Sequence, residues 1–120
     1  MSENPAEPNV LLVLAHPALE RSRANRAMAA AADSLAAVRL HDLYEVYPDF
    51  LIDVPDEQAR LTAHDIIVLQ FPLYWYSTPA LLKAWIDEVW LYGFAYGQGG
   101  CAMEGKTLLV ACAAGSPLND

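Results

Sequence analysis

The sequence predicts an α/β domain built on a doubly wound parallel sheet. Short, unalternated apolar runs recur along the chain, as expected of strands buried on both faces. Segments of helical spacing separate them and supply the dozen or so residues that a parallel crossover needs. At 120 residues the chain is one domain, and 55% hydrophobic against 18% charged residues suffices for a core, which excludes a disordered or fibrous protein.

Residues 10–15, apolar throughout and too short for a helix, form the expected central strand. From Ser22, placed as N-cap, Ala24, Ala27, Met28, Ala31 and Leu35 recur at helical spacing and predict an alanine-rich stripe able to sit close to the sheet. Residues 38–40 are a second strand, and 41–50 an aromatic loop without a period. Pro55-Asp56-Glu57 resembles a helix start, with a short helix expected to about His64 and a third strand over 65–71. Thr78 as N-cap with Pro79 at the first helical position opens a second long helix carrying Leu82, Trp85, Ile86 and Val89. A glycine-aromatic loop at 90–100 then leads to a fourth strand at 106–113. Such sheets usually have five or more strands, so a last strand–helix unit is expected to be missing, leaving strand four with unpaired backbone groups and an exposed face. Residues 1–9 are polar and are expected to be a flexible N-terminus of the single domain 1–120.

Seven basic against fifteen acidic residues give a net charge of −8 with no basic cluster, which argues against nucleic acid and anionic membranes. Cys101 and Cys112 make neither a disulfide framework nor a metal spacing. Cys112 is expected to be an inert buried thiol and Cys101 exposed. His41 and His64 are isolated, expected at the surface or as caps, and no metal site is predicted. Asp49, Asp53, Asp56 and Glu57 are expected to be a solvated face and a helix cap. The start of the chain lacks a secretory pattern, and residues 66–82 fall short of the ~20 apolar residues of a membrane helix. A reducing, cytoplasmic setting follows as the expectation.

Ligands of open parallel sheets sit beyond the carboxyl ends of the strands. After strand one, the run from His16 to Asn25 ends where the first helix begins. The open N–H groups of that helix suit a phosphate, with Ser22 and Asn25 as added donors and Arg21 or Arg23 as countercharge. A structural reading, in which Ser22 only caps the helix, has equal standing on spacing alone. Neither a dinucleotide glycine triplet nor a Walker loop occurs there. After strand three, Pro72-Leu73-Tyr74-Trp75-Tyr76 puts three aromatics in a loop, which suits a planar heteroaromatic ligand or, equally simply, burial against core or partner.

These segments also carry a resemblance. Ala15-His16-Pro17 with Ser22-Arg23-Ala24-Asn25, Asp42-Leu43-Tyr44 followed by Tyr47-Pro48-Asp49-Phe50, the run from Gln70 to Tyr76, and Gly93-Phe94-Ala95-Tyr96-Gly97 resemble, in that order, the flavodoxin-like NAD(P)H:quinone oxidoreductase family. The likeness runs from about residue 10 to 115 and is strongest to the bacterial branch that includes the ancillary proteins of glutathione-regulated potassium-efflux systems. It implies a flavodoxin-like fold and a flavin, FMN with FAD as the alternative. The phosphate end would lie near His16, Ser22, Arg23, Ala24 and Asn25, and the ring against Pro72, Leu73, Tyr74, Trp75 and Tyr76. The resemblance further implies two-electron transfer from a reduced nicotinamide through the flavin to a quinone, and a homodimer with the 90–100 segment reaching toward the partner. It names no catalytic side chain in this chain. Ala113-Ala114-Gly115-Ser116 stands where the family commonly has Thr-Thr-Gly-Gly, so contacts there would come from the backbone. Family members also continue past residue 120. Two other readings stand beside the enzyme: an ancillary subunit on a membrane antiporter, cytoplasmic but peripheral to the inner membrane, and a shortened remnant that binds nothing.

Overall fold

A computed structural model describes residues 9–19, 22–73, 78–90, 94 and 99–113. Four parallel strands, β1 (Val10–Leu14), β2 (Val38–Asp42), β3 (Ile66–Pro72) and β4 (Thr107–Ala113), lie in the order β2-β1-β3-β4. Helix α1 (Arg23–Asp33) connects β1 to β2. The short α2 (Leu43–Val46) and α3 (Val54–Thr62) connect β2 to β3, and α4 (Ala80–Val89) connects β3 to β4. Strand order therefore reverses between β1 and β3, where Leu14, the last residue of β1, is the register partner of Gln70, two residues before the end of β3. A crevice is expected there in a doubly wound sheet.

Alternation sorts the side chains. Leu11, Val13, Ile67, Leu69 and Phe71 share one face, where Leu43, Tyr47, Leu61, Leu81, Leu82, Trp85 and Val89 complete the core. Trp85 is the largest fully buried side chain among the described residues. Leu12, Leu14 and Gln70 occupy the other face, toward α1.

The strands and long helices match the sequence expectation, and Ser22 is the N-cap of α1, its Oγ accepting the Asn25 N–H at 3.1 Å. The predicted stripe of α1 does not match. Ala24, Ala27, Met28, Ala31 and Leu35 are exposed, while Ser22, Asn25 and Ala29 face the sheet. A polar contact at the helix start, not the apolar stripe, sets the rotation of this helix. The aperiodic 41–50 segment also contains structure: β2 extends to Asp42, whose side chain caps α2 through the Glu45 N–H at 3.2 Å. In α3 the cap is Asp53, accepting from the Asp56 N–H at 3.1 Å, in line with a capping role for this acidic run.

Thr78 does not cap α4. Pro79 takes the cap position without a side-chain bond, and the Thr78 hydroxyl is buried without a partner. β4 lies at the sheet edge with Leu108, Leu109 and Val110 about half exposed, as expected for a fourth strand with an open side. Cys112, predicted to be buried, is exposed for the same reason, and Cys101 is exposed as expected.

Candidate functional site at the carboxyl edge of the sheet

The turn after β1 is held tightly. His16 is 5% exposed, and its Nδ1 accepts the Ala18 N–H at 2.9 Å, which puts the proton of the neutral ring on Nε2. Ser22 is fully buried, and its Oγ accepts both the backbone N–H and the side-chain amide N–H of Asn25, each at 3.1 Å. Asn25 is buried as well, and its amide is engaged on both ends, because Gln70 Nε2 donates to its Oδ1 at 3.1 Å and to its backbone carbonyl at 3.0 Å. Asn25 therefore orients Ser22 and ties α1 to β3. Arg23 and Ala24 are exposed in the first turn, and their backbone N–H groups have no partner among the described residues. Two such amides at the start of the helix that follows β1 fit a phosphate group.

On the other side of the crevice, Gln70, Phe71 and Pro72 are buried at the end of β3, and the half-buried Leu73 begins the segment leading to α4. Tyr74, Trp75, Tyr76, Ala114, Gly115 and Ser116 lie outside the described residues. Ala113 closes β4 in register with Pro72, which brings the ends of β3 and β4 to the same edge. A cavity of about 410 Å³ opens at this edge, lined by His16, Pro17, Leu19, Arg26, Asp42, Tyr44 and Glu45. A second cavity of about 400 Å³, between Asn9, Arg39, Arg60 and His64, lies at the amino edge, away from the crevice.

On the core face of the sheet lies a cluster that the sequence reading missed. Glu57, expected on a solvated face, is fully buried. Its carboxylate accepts from His41 Nε2 at 2.9 Å, the Tyr47 hydroxyl at 2.5 Å and Trp85 Nε1 at 2.9 Å. His41, expected at the surface, is 5% exposed because β2 reaches two residues further than predicted, to Asp42. His64, 7% exposed, does cap, with Nδ1 donating to the Arg60 carbonyl at 2.7 Å. Burial alone would push the Glu57 carboxyl up, but the bonds from His41, Tyr47 and Trp85 outweigh it and hold it below its ordinary value. Burial, and then the bond to Glu57 and its charge, push the Tyr47 phenol well above its ordinary value. One carboxylate with three donors on β2, α4 and the segment after α2 was hidden because its donors are scattered in sequence.

Among the described residues no group of three His, Cys, Asp or Glu could hold a metal, and no helix is long and apolar enough to cross a membrane. The described edge thus offers helix-start amides, one imidazole and a cavity bordered by Arg26, Asp42, Tyr44 and Glu45, which suits holding a ligand that brings its own chemistry.

Comparison with known proteins bears on the family and the fold. Residues 8–120 match the family described as having a flavodoxin-like fold. The chain is 51% identical over 107 residues to the uncharacterized NAD(P)H oxidoreductase YdeQ of Bacillus subtilis, covering 89% of this chain and 54% of YdeQ. It is 50% identical over 117 residues to the glutathione-regulated potassium-efflux system ancillary protein KefG of Escherichia coli O1:K1, covering 98% of this chain and 62% of KefG. The chain thus spans a little over half the length of these relatives. Among solved structures, general stress protein 14 of Treponema denticola, in complex with FMN, superposes with a TM-score of 0.87 at 41% identity, over 92% of this chain and 64% of that one. An NADPH-quinone reductase from P. pentosaceus gives 0.79 at 40%, over 90% and 61%. A structure described as a thermophilic tryptophan halogenase gives 0.85 at 51%, over 89% and 62%, so the shared fold does not by itself name the reaction.

Proposed function

The chain belongs to the flavodoxin-like fold family, and from that premise we propose that it is the cofactor-holding part of an FMN-dependent NAD(P)H:quinone oxidoreductase. The observation that carries the reading is the pair of N–H groups at Arg23 and Ala24, without a partner among the described residues, at the start of the helix that follows β1, where the order of the sheet reverses. Bound FMN would supply the redox chemistry, taking two electrons from a reduced nicotinamide and passing them to a quinone.

The chain's own residues bind and orient. The Arg23 and Ala24 amides hold the phosphate, with the Arg23 guanidinium as countercharge and Ser22 fixed by Asn25 at the helix start. Tyr74, Trp75 and Tyr76, which follow Pro72 and Leu73 in the sequence, would face the ring, and backbone N–H groups of 113–116 would serve in place of the hydroxyls that Ala113 and Ala114 lack. The names of YdeQ and the P. pentosaceus reductase support the nicotinamide and the quinone, and the T. denticola structure supports FMN over FAD. A homodimer completing each cleft with the partner's 90–100 segment belongs to the same reading.

Purified protein is expected to be yellow and to quench FMN fluorescence stoichiometrically. Colourless protein that leaves FMN fluorescence untouched would end the proposal. The likeness to KefG favours a second reading, in which the chain is an ancillary subunit, cytoplasmic and held at the inner membrane by a potassium-efflux antiporter. Retention of the antiporter by the tagged chain from detergent-solubilised membranes tests it.

A further inference from the structure

The cavity of about 400 Å³ at the amino edge of the sheet lies within the size range of small-molecule sites, about 300–1,000 Å³. Asn9, just before β1, and His64, just before β3, both line it. Asn9 holds the frame: its side-chain amide donates to the Ala63 carbonyl at 2.6 Å, and its own carbonyl accepts the Asp65 and Ile66 N–H groups at 2.9 and 3.1 Å.

The walls carry guanidinium groups in a chain of net charge −8. Of its seven basic side chains, Arg39 from β2 and Arg60 from α3 line this cavity. Arg39 is exposed, and its guanidinium has no partner among the described residues. Arg60 gives Nη2 to Asp56 at 2.7 Å and turns Nε toward Glu57 at 3.8 Å. Asp56 is the only acid among the described lining residues, and an exposed i,i+4 pair of this kind is weak enough to yield to a ligand. Carbonyls at the end of α3, which would repel an anion, are already occupied, since Lys106 donates to those of Thr62 and His64 at 3.2 and 2.6 Å. His64 is 7% exposed and spends Nδ1 on the Arg60 carbonyl at 2.7 Å. Its neutral ring therefore keeps Nε2 as an acceptor without a partner among the described residues. Guanidinium forks suit the oxygens of a phosphate, and a spare acceptor beside them suits a hydroxyl.

We propose that this cavity binds a small phosphate monoester that also carries a hydroxyl, with the phosphoryl group on Arg39 and Arg60 and the hydroxyl donating to His64 Nε2. The site is at the opposite edge of the sheet from the flavin cleft and does not depend on it.

The test titrates purified protein with glycerol 3-phosphate and follows amide chemical shifts, with FMN in excess so that the start of α1 is already filled. Shifts are expected at residues 39 and 59–64. Arg39→Gln breaks no bond among the described residues and is expected to weaken binding about 10-fold or more, the range for a hydrogen bond to a charged group. Asp56→Asn frees Arg60 and removes a repelling charge, so it is expected to tighten binding about 2- to 5-fold. Lys83→Gln, the same charge change on α4, is expected to leave affinity within about twofold. Methyl phosphate, which has no hydroxyl, is expected to bind about 3- to 10-fold more weakly. Shifts confined to residues 22–25, or equal weakening by Arg39→Gln and Lys83→Gln, overturn the proposal, and equal affinity for the two esters overturns the contact with His64. Fluorescence quenching reports FMN separately, so protein that ignores FMN ends the flavin reading while the shifts at 39 and 59–64 still decide this one.

Discussion

The carboxylate of Glu57 accepts the indole N–H of Trp85 at 2.9 Å inside the core, joining α3 to α4. A fully buried carboxylate is tolerable only if its lone pairs are occupied, and here His41 and Tyr47 occupy the rest. Removing one partner leaves a buried charge short of donors, whereas removing the charge leaves three donors short of an acceptor. Glu57→Ala is expected to destabilise by about 3–5 kcal/mol and Trp85→Phe by about 1–3 kcal/mol, read from urea midpoints.

The same cluster is expected to set the acid limit of stability. The folded-state pKa of Glu57 lies below its unfolded value of ~4.3, so its contribution is complete above that value and is lost as the pH falls through the folded-state value. Glu57→Gln, less stable than wild type at neutral pH, is expected to lose less on acidification. Equal acid sensitivity in urea melts of the two proteins would mean that other carboxylates set the limit.

On the alkaline side the sign reverses. The phenol of Tyr47 is raised above its unfolded value of ~10, so its contribution is full below that value and is lost as the pH climbs toward the folded-state value. Wild-type protein is expected to weaken above pH ~10 more steeply than Tyr47→Phe, by denaturant melts across that range.

Gln70 should matter more to the site than its place in an apolar strand suggests. It is 2% exposed and donates twice to Asn25. Gln70→Leu keeps the volume but leaves Asn25 Oδ1 buried without its donor, at a cost of about 1–3 kcal/mol. Exchange of the first-turn amides of α1 should quicken at the same time, and unchanged exchange would show that Gln70 is only packing.

Local signals were legible where one stretch of chain decides the outcome. The apolar run of β1, the Ser22 cap and the spacing of Leu82, Trp85 and Val89 each speak for themselves, and alternation with helices gives the parallel sheet. Features made by distant partners were not legible. Glu57 reads as a first-turn acid until His41 and Trp85 are folded against it, and the cap of α4 comes from Tyr44, which no local window contains. The face of α1 was misread because Ser22 and Asn25 bond under the helix, turning polar residues inward and the alanine stripe out. At the candidate site, the rule that ligands gather at strand ends points to the β1–α1 turn and the end of β3, and the parallel pairing of β1 with β3 brings these to one edge. The second layer, Gln70 on Asn25 on Ser22, was not legible.

That second layer gives the sharpest test of the cleft. Ser22→Ala removes the acceptor for two Asn25 N–H groups, and the lost cap alone is worth about 1 kcal/mol of stability. If the start of α1 holds the phosphate of FMN, the variant loses more than stability, because a loosened first turn no longer presents the Arg23 and Ala24 amides together. Riboflavin shares the ring but lacks the phosphate. FMN affinity is therefore expected to fall roughly 10- to 100-fold, the range for a hydrogen bond to a charged group, while riboflavin affinity changes little. Both are measured by fluorescence quenching at a temperature where the variant remains folded. Parallel losses for the two flavins would place the phosphate elsewhere and reduce Ser22 to a helix cap.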